Sequence, residues 1–244
     1  GKTLRILYEI NDLAWEYPGL RVLIVRKVRA DLAHSTLVTY ERDIMGTTNP
    51  IISKVQREYR KVYNYPNGSE IVVGGMDRPG KILSSEYDII YPAEAVQFSL
   101  NDWETFIMRL RSGVYPYPVV IGDTNPDRKE HWLKQRADSG VTTLLNTYHK
   151  DNPAYWDEDA QTWTEAGQRY VQGKLQRLTG VRAERYLHNR WVNAEGVIYE
   201  AWDEDVHLID EEALPEFKFR FCSIDFGFTN PFVCQWWGVD YDGR

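Results

Sequence analysis

The feature that most constrains this chain is an alternation between short, nearly continuous apolar runs and longer helix-compatible stretches. The runs RVLIVR (21–26), YDIIY (87–91) and YPVVIG (117–122) are too short for ordinary helices and carry apolar side chains on both faces. A strand apolar on both faces belongs in a parallel sheet covered by helices on each side. The intervening segments supply those helices. In GKTLRILYEINDLAWEYPG, Leu4, Leu7, Ile10, Leu13 and Ala14 form a helical stripe that Pro18-Gly19 ends, so a helix begins almost at residue 1. ADLAHSTLVTYERDIMG and LNDWETFIMRLRSG are further helical segments, REYRKVYNYPNGSEIVVGG reads as a hairpin turning at Pro66-Asn67-Gly68-Ser69, and VTTLLNTY reads as another strand. The expected class is α/β, a mostly parallel sheet with helices on both faces, over residues 1–150.

After His149 the texture changes to a polar stretch rich in Trp and Tyr, expected to form a small helical linker region over 151–216. From 217, FKFRFCSID and FVCQWWGVD flank FGFTNP, and residues 217–244 read as a hairpin opening a second β-containing domain. A turn-like YDGR end and a glycine start lead to the expectation that the chain continues beyond both termini. No run of about eighteen apolar residues is present, which excludes a spanning helix. Two cysteines, Cys222 and Cys234, make neither a disulfide framework nor a metal-ligand spacing and are expected to pack as small apolar residues.

Net charge is −7, which argues against a general nucleic-acid coat, but it is unevenly distributed. Residues 21–81 hold 11 Lys/Arg against 6 Asp/Glu, whereas 151–216 hold 6 against 15, so only the first region suits phosphates. Solvated basic faces explain the same counts equally well.

Gly1-Lys2-Thr3, directly before an amphipathic helix, is what would remain if a phosphate-binding loop, G-x-x-x-x-G-K-[ST], were cut at its second glycine. The order has a chemical reason. Glycine lets backbone amides approach phosphate, lysine reaches the terminal phosphate oxygens, and the hydroxyl meets Mg²⁺ at a helix N-terminus. The tripeptide alone is a weak signal.

The segments GKT-helix, RVLIVRK, GSEIVVGGMDRPGKILSSEYDIIYPAEA, VVIGDTNPDRKEHWL, NTYHKDNPAYW, RYLHNRWVNAEGVIYEAW and CSIDFGFTNP follow one another in an order that resembles the large terminase subunit of tailed bacteriophages. The resemblance covers essentially the whole chain. It implies a P-loop ATPase domain, a linker and the first strands of a ribonuclease H-like nuclease. It further implies ATP with Mg²⁺ as cofactors, and Mg²⁺ or Mn²⁺ for the nuclease. The implied partners are double-stranded viral DNA, a portal protein and a small terminase subunit, in a homo-oligomeric ring on the procapsid within the bacterial cytoplasm.

On that resemblance Gly1, Lys2 and Thr3 bind nucleotide, Thr3 also meeting the metal. Glu94 orients the attacking water, and Thr124, Asn125 and Pro126 couple nucleotide state to motion. Asp225 is the first metal-binding aspartate of the nuclease, and Arg78 is a candidate trans-acting arginine. Read without the resemblance, Glu94 is also a helix-start carboxylate, Asn125-Pro126 an ordinary turn, and Asp225 a turn initiator. A different P-loop ATPase such as a helicase, or a nucleotide-binding scaffold that does not hydrolyse, remains an alternative function. Supporting the metal reading, alternation puts Asp225 on one face with Phe219, Phe221 and Ser223, where a carboxylate wants a partner.

One position departs from the family pattern. The acidic residue normally found just before the catalytic glutamate is Ala93 here, preceded by Pro92. Asp88 lies at the wrong end of its strand, which rises about 3.3 Å per residue. Asp123, ending the neighbouring strand at a spacing of about 4.8 Å, is the candidate for the missing charge. Its alternative role is to bond its own backbone in the DTNPD turn.

Overall fold

A computed structural model describes residues 1–82, 84–193, 214–226 and 232–243. The chain divides into two compact units, Gly1–Ala194 and Glu195–Arg244.

The first unit opens with α1 (Lys2–Glu16), whose Leu7, Ile10 and Ala14 are buried in the i, i+3, i+7 pattern anticipated from the sequence. Burying Leu7 and Ile10 contributes about 1.5–3 kcal/mol each. The left-handed Gly19 (φ +83°) then turns the chain into β1 (Arg21–Arg26), in which Val22 to Val25 are all buried. The helix-compatible stretch after β1 is broken at Ser35 into α2 (Ala30–His34) and α3 (Thr36–Thr39), with a wider π-type turn over Tyr40–Met45. The hairpin follows as β2 (Val62–Asn64) and β3 (Glu70–Gly75). Its turn also ends α1, because Asn67 Nδ2 donates to Ala14 O at 2.9 Å and Ser69 Oγ to Tyr17 O at 2.9 Å.

Next come α4 (Pro79–Ile82), β4 (Ile89–Pro92) and α5 (Leu100–Met108), the last opened by a capping box between Ser99 and Asp102. A two-residue strand, β5 (Val119–Val120), precedes α6 (Trp132–Asp138). The sheet order is β2-β3-β1-β4-β5. Strands β3, β1, β4 and β5 are mutually parallel, and only β2 is antiparallel.

Strand alternation splits the core in two. Val22, Ile24, Ile89, Tyr91 and Ala93 pack with Leu7, Ile10 and Ala14 of α1, whereas Leu23, Val25 and Ile90 pack with Phe98 and Phe106, beside and within α5. Helices therefore cover both faces of β1 and β4, as their apolar runs required, but the run at 117–122 yields only the two-residue edge strand β5, with Val119 and Ile121 exposed rather than buried. At the bottom of the sheet Asp88 is fully buried and accepts from Arg21 N at 2.9 Å, Val114 N at 2.9 Å and Tyr115 N at 3.0 Å. That carboxylate ties strand starts together and is remote from the strand ends.

The strand expected at VTTLLNTY does not form. Residues 141–148 are irregular, with Val141 63% and Leu145 78% exposed, and no strand is paired with them. Their apolar residues, Val141, Leu144, Leu145 and Tyr148, do not alternate with period two, and without a sheet edge to pair with the segment does not make a strand. In the region expected to be helical, the described part to residue 193 also contains a small hairpin, β6 (Trp156–Asp157) with β7 (Thr162–Trp163), closed by an edge contact between its two Trp rings. Then come α7 (Glu165–Gly167) and α8 (Gly180–Tyr186). Residues 194–213, the remainder of that expected linker apart from 214–216, lie outside the described residues.

The second unit contains the antiparallel pair β8 (Phe217–Asp225) and β9 (Val233–Asp240), with Phe221 opposite Trp237 and Asp225 opposite Val233. The connecting residues 227–231 lie outside the described residues. Cys222 and Cys234, expected to be buried, are both exposed on this hairpin, their sulfurs 3.1 Å apart on the face that also carries Ile224 and Trp236.

Candidate functional site

The carboxyl ends of β4 and β5 lie side by side, since Ile89 pairs with Val119 and Ile121 N donates to Ile90 O at 3.0 Å. A parallel sheet with helices on both faces places its ligands at this end. The two strand ends approach closely because Gly122 has no side chain: a Cβ there would lie 3.1 Å from both Pro92 O and Ala95 Cβ.

Past Gly122 the chain is stitched to the end of β4. Ala95 N donates to Asp123 O at 2.8 Å, Glu94 N donates to Asp123 Oδ1 at 3.2 Å, His131 Nε2 pairs with Val96 O at 3.1 Å, and Trp132 Nε1 donates to Phe98 O at 2.8 Å. His131 thus has a structural role, its ring also accepting from Leu133 N as the cap of α6. Burial lowers its pKa, keeping the ring neutral.

The start of α1 is brought to the same place. Lys2 Nζ donates to Thr124 O and, at 3.1 Å, to Asn125 Oδ1. Thr3 Oγ1 donates to Asp123 Oδ2. Among the described residues no side chain caps α1, and its positive dipole end lies at Lys2 and Thr3, the residues bonded into this cluster. Lys2, Thr3, Glu94, Asp123, Thr124 and Asn125, far apart in sequence, form one group. Pro126 is buried just beyond, fixing the turn.

The electrostatics agree with the geometry. Burial lowers the Lys2 pKa, and the charges of Asp123 and Glu94 oppose that shift. Burial raises the Glu94 carboxyl above the usual range, and Asp123 raises it further, against the opposing pull of Arg26 and Lys2. Glu94 also holds a left-handed backbone, φ 57° and ψ 62°, which a residue with a Cβ adopts at a cost of about 1–3 kcal/mol. That conformation turns the chain out of β4 and into the short helical turn Ala95–Gln97.

Two residues not singled out in the sequence belong here. Tyr91 is fully buried, and its hydroxyl lies against Asp123 and Thr3 without a hydrogen bond of good geometry. Arg26 ends β1 beside β4, donates to Ser35 Oγ at 2.7 Å, and its charge acts on Glu94. The available signal was positional: Tyr91 is two residues before Ala93 on the same strand face, and Arg26 ends the adjacent strand.

Of the remaining candidates, Arg78 is exposed on the turn after β3 and joins none of these contacts. Asp225 ends β8, exposed. Among the described residues no group of three His, Cys, Asp or Glu side chains is placed to hold a metal. At the strand ends the donors are two carboxylates and a hydroxyl, with the buried Tyr91 hydroxyl beneath them. An all-oxygen set of one or two carboxylates suits Mg²⁺, which takes its other ligands from phosphate and water.

The sequence model of the phage terminase large subunit matches residues 12–177. The chain belongs to the phage terminase large subunit family. That match takes in Glu94 and the Asp123–Pro126 turn, while Lys2, Thr3 and Asp225 lie outside it. The terminase chain also matches solved structures of the large terminase from a thermophilic bacteriophage. One crystal form gives a TM-score of 0.59 at 17% identity, covering 99% of this chain and 58% of that one. The ADP complex of the thermophilic phage protein gives 0.62 at 17% identity with 99% and 57% coverage, and its ATP-γ-S complex 0.55 at 18% with the same coverage. The terminase chain therefore has the large-terminase fold and spans a little under three-fifths of those structures' length. No curated protein matches it.

Proposed function

We propose that this chain carries the motor of a DNA-packaging terminase, hydrolysing ATP to translocate double-stranded viral DNA into a procapsid. The observation that carries this reading is the meeting of Lys2 and Thr3 at the start of α1 with Glu94 and the Asp123–Asn125 turn at the ends of β4 and β5. The complexes of the thermophilic phage terminase with ADP and ATP-γ-S support a nucleotide on this fold.

In this reading the α1 amides and Lys2 hold the terminal phosphates, adding dipole and charge where negative charge collects. Thr3 would hold Mg²⁺ through its hydroxyl, and the ion supplies neutralisation of the phosphate oxygens. Glu94 orients the attacking water and accepts its proton. Lys2 already bonds to Thr124 and Asn125, so a change of partner at Lys2 is felt by that turn, and through His131 and Trp132 by α6.

The proposal extends to the rest of the protein as the family implies it: a boundary near residue 150, a linker over 151–216, and a metal-dependent nuclease beginning at 217 with Asp225. It also includes a homo-oligomeric ring on the procapsid, with portal and small-subunit partners, in the bacterial cytoplasm. No helix among the described residues is long and apolar enough to cross a membrane. The test is binding of a fluorescent ADP analogue and DNA-stimulated phosphate release by the full-length protein. Both should be lost in Lys2→Ala, and unchanged binding in that variant would refute the nucleotide site.

A further inference from the structure

We infer that Asp123 is the acidic group that positions magnesium-bound water in this site, so that the charge absent at Ala93 is supplied from the turn after β5 rather than from the end of β4. The inference rests on the nucleotide-binding reading above and concerns one residue within it.

Three observations converge on Asp123. Its carboxylate is 7% exposed, so it was removed from water to be placed here. A buried carboxylate is costly unless its oxygens are matched, and both are. Oδ2 accepts from the Thr3 hydroxyl and Oδ1 from Glu94 N, so the group is fixed between the two residues that flank the reacting phosphate in the proposed mechanism. The simple alternative, a carboxylate turned back on its own DTNPD turn, fails on geometry: the turn's other contacts run from Asp123 O to Ala95 N and from Lys2 to Thr124 and Asn125, and both oxygens of Asp123 reach outward.

Ala93 places no charge of its own here. Its side chain lies in the core layer with Leu7, Ile10 and Tyr91 beneath α1, the face on which a strand-end aspartate would approach Thr3. The bulky Tyr91, two residues back on that face, brings its own hydroxyl against Thr3 and Asp123. A small residue at 93 and a carboxylate arriving laterally at 123 meet the same requirement with one negative charge. The relocation has a mechanical consequence. The group that holds the water is adjacent in sequence to Thr124 and Asn125, so metal occupancy and the coupling turn share one backbone segment.

The test measures Mg²⁺ dependence of binding, apart from turnover. In the full-length protein, a fluorescent ADP analogue is titrated in EDTA and then at increasing Mg²⁺. Asp123→Asn keeps size and an acceptor for Glu94 N but removes the charge. It should raise half-saturating Mg²⁺ by about tenfold or more, as loss of a second-sphere ligand does, while leaving affinity in EDTA within about threefold. Ala93→Asp added to it should recover most of that shift. A shift of equal size in EDTA would assign Asp123 to structure alone and overturn the inference, as would no shift at all. Ala93→Asp in the otherwise natural protein gives an answer even where Asp123→Asn does not fold. With the charge already present, its Mg²⁺ requirement stays within about threefold of the natural protein, and a fall of tenfold or more would show that Asp123 does not supply it. Failure of the natural protein to bind nucleotide under any condition would instead remove the underlying nucleotide reading.

Discussion

The Thr3 hydroxyl donates to the Asp123 carboxylate across 120 positions of sequence, joining the first turn of α1 to the tip of β5. With Glu94 N on the other Asp123 oxygen, this bond makes the strand ends a single polar cluster around the helix N-terminus.

Glu94→Gln in the full-length protein should retain nucleotide and lose turnover. The amide keeps the size but neither polarises nor deprotonates water, and loss of a positioned base costs roughly 10²–10⁴-fold in rate. Single-turnover phosphate release is the measurement. A rate within about threefold of the natural enzyme would leave Glu94 only its turn-forming role.

The pH dependence has a definite sign. Burial and Asp123 raise the Glu94 carboxyl, so the residue stays protonated to a higher pH than an ordinary glutamate. Activity that needs its carboxylate should therefore fall on the acid side at a pH above the usual glutamate range. Arg26→Gln removes a charge that opposes the shift, and the acid limb should move to still higher pH. Linkage adds a stability readout: the stabilisation tied to the raised Glu94 pKa is present at acid pH and lost as pH rises through that value. Glu94→Gln should then gain in Tm relative to the natural protein on the alkaline side only.

Asp88 is the contrasting carboxylate. Asp88→Ala takes the acceptor from three partly buried backbone amides and leaves a cavity at a fully buried side chain, so the cost should reach about 1–3 kcal/mol. Urea unfolding reads the loss. Nucleotide affinity of the protein that remains folded should be unchanged, since Asp88 lies at the opposite end of β4 from Glu94.

Gly122→Ala probes the approach of β5 to β4. The added methyl meets Pro92 O and Ala95 Cβ at 3.1 Å, so the strand tips must part by a few tenths of an ångström. Overpacking of this kind costs about 1–3 kcal/mol, and kcat should fall while nucleotide affinity in EDTA holds. A kcat equal to that of the natural enzyme would mean that the tips tolerate separation.

In the second unit, two-metal cleavage needs several carboxylates together, and among the described residues none gather with Asp225, so residues 1–244 should not cut DNA. Metal-dependent nicking of plasmid by residues 1–244 would contradict that. In the full-length protein Asp225→Asn should abolish cutting and leave ATP hydrolysis intact.

The sheet was legible because its signal is local: four consecutive buried residues in RVLIVR have only one comfortable environment. The helical stripe of α1 and the hairpin turn at 66–69 were legible for the same reason. VTTLLNTY was not, because β-compatible residues form a strand only where an edge waits to pair with them. Cys222 and Cys234 were misread by composition, since burial depends on what covers a hairpin face. The bonds from Lys2 to Thr124 and Asn125 had no local signal, since they join distant parts of the chain, and Tyr91 reads as one more apolar residue in its strand until its hydroxyl is placed against Asp123 and Thr3.

The left-handed backbone of Glu94 sets folding and turnover against each other at one position. Glycine would relieve the conformation there and asparagine would tolerate it, so a library sorted for thermal resistance alone should enrich both at 94. Each discards the carboxylate. A thermostable version of this protein obtained by such sorting would thus arrive with its water-orienting group erased, and stabilising substitutions are better sought around the Asp88 end of the sheet, where no chemistry is proposed.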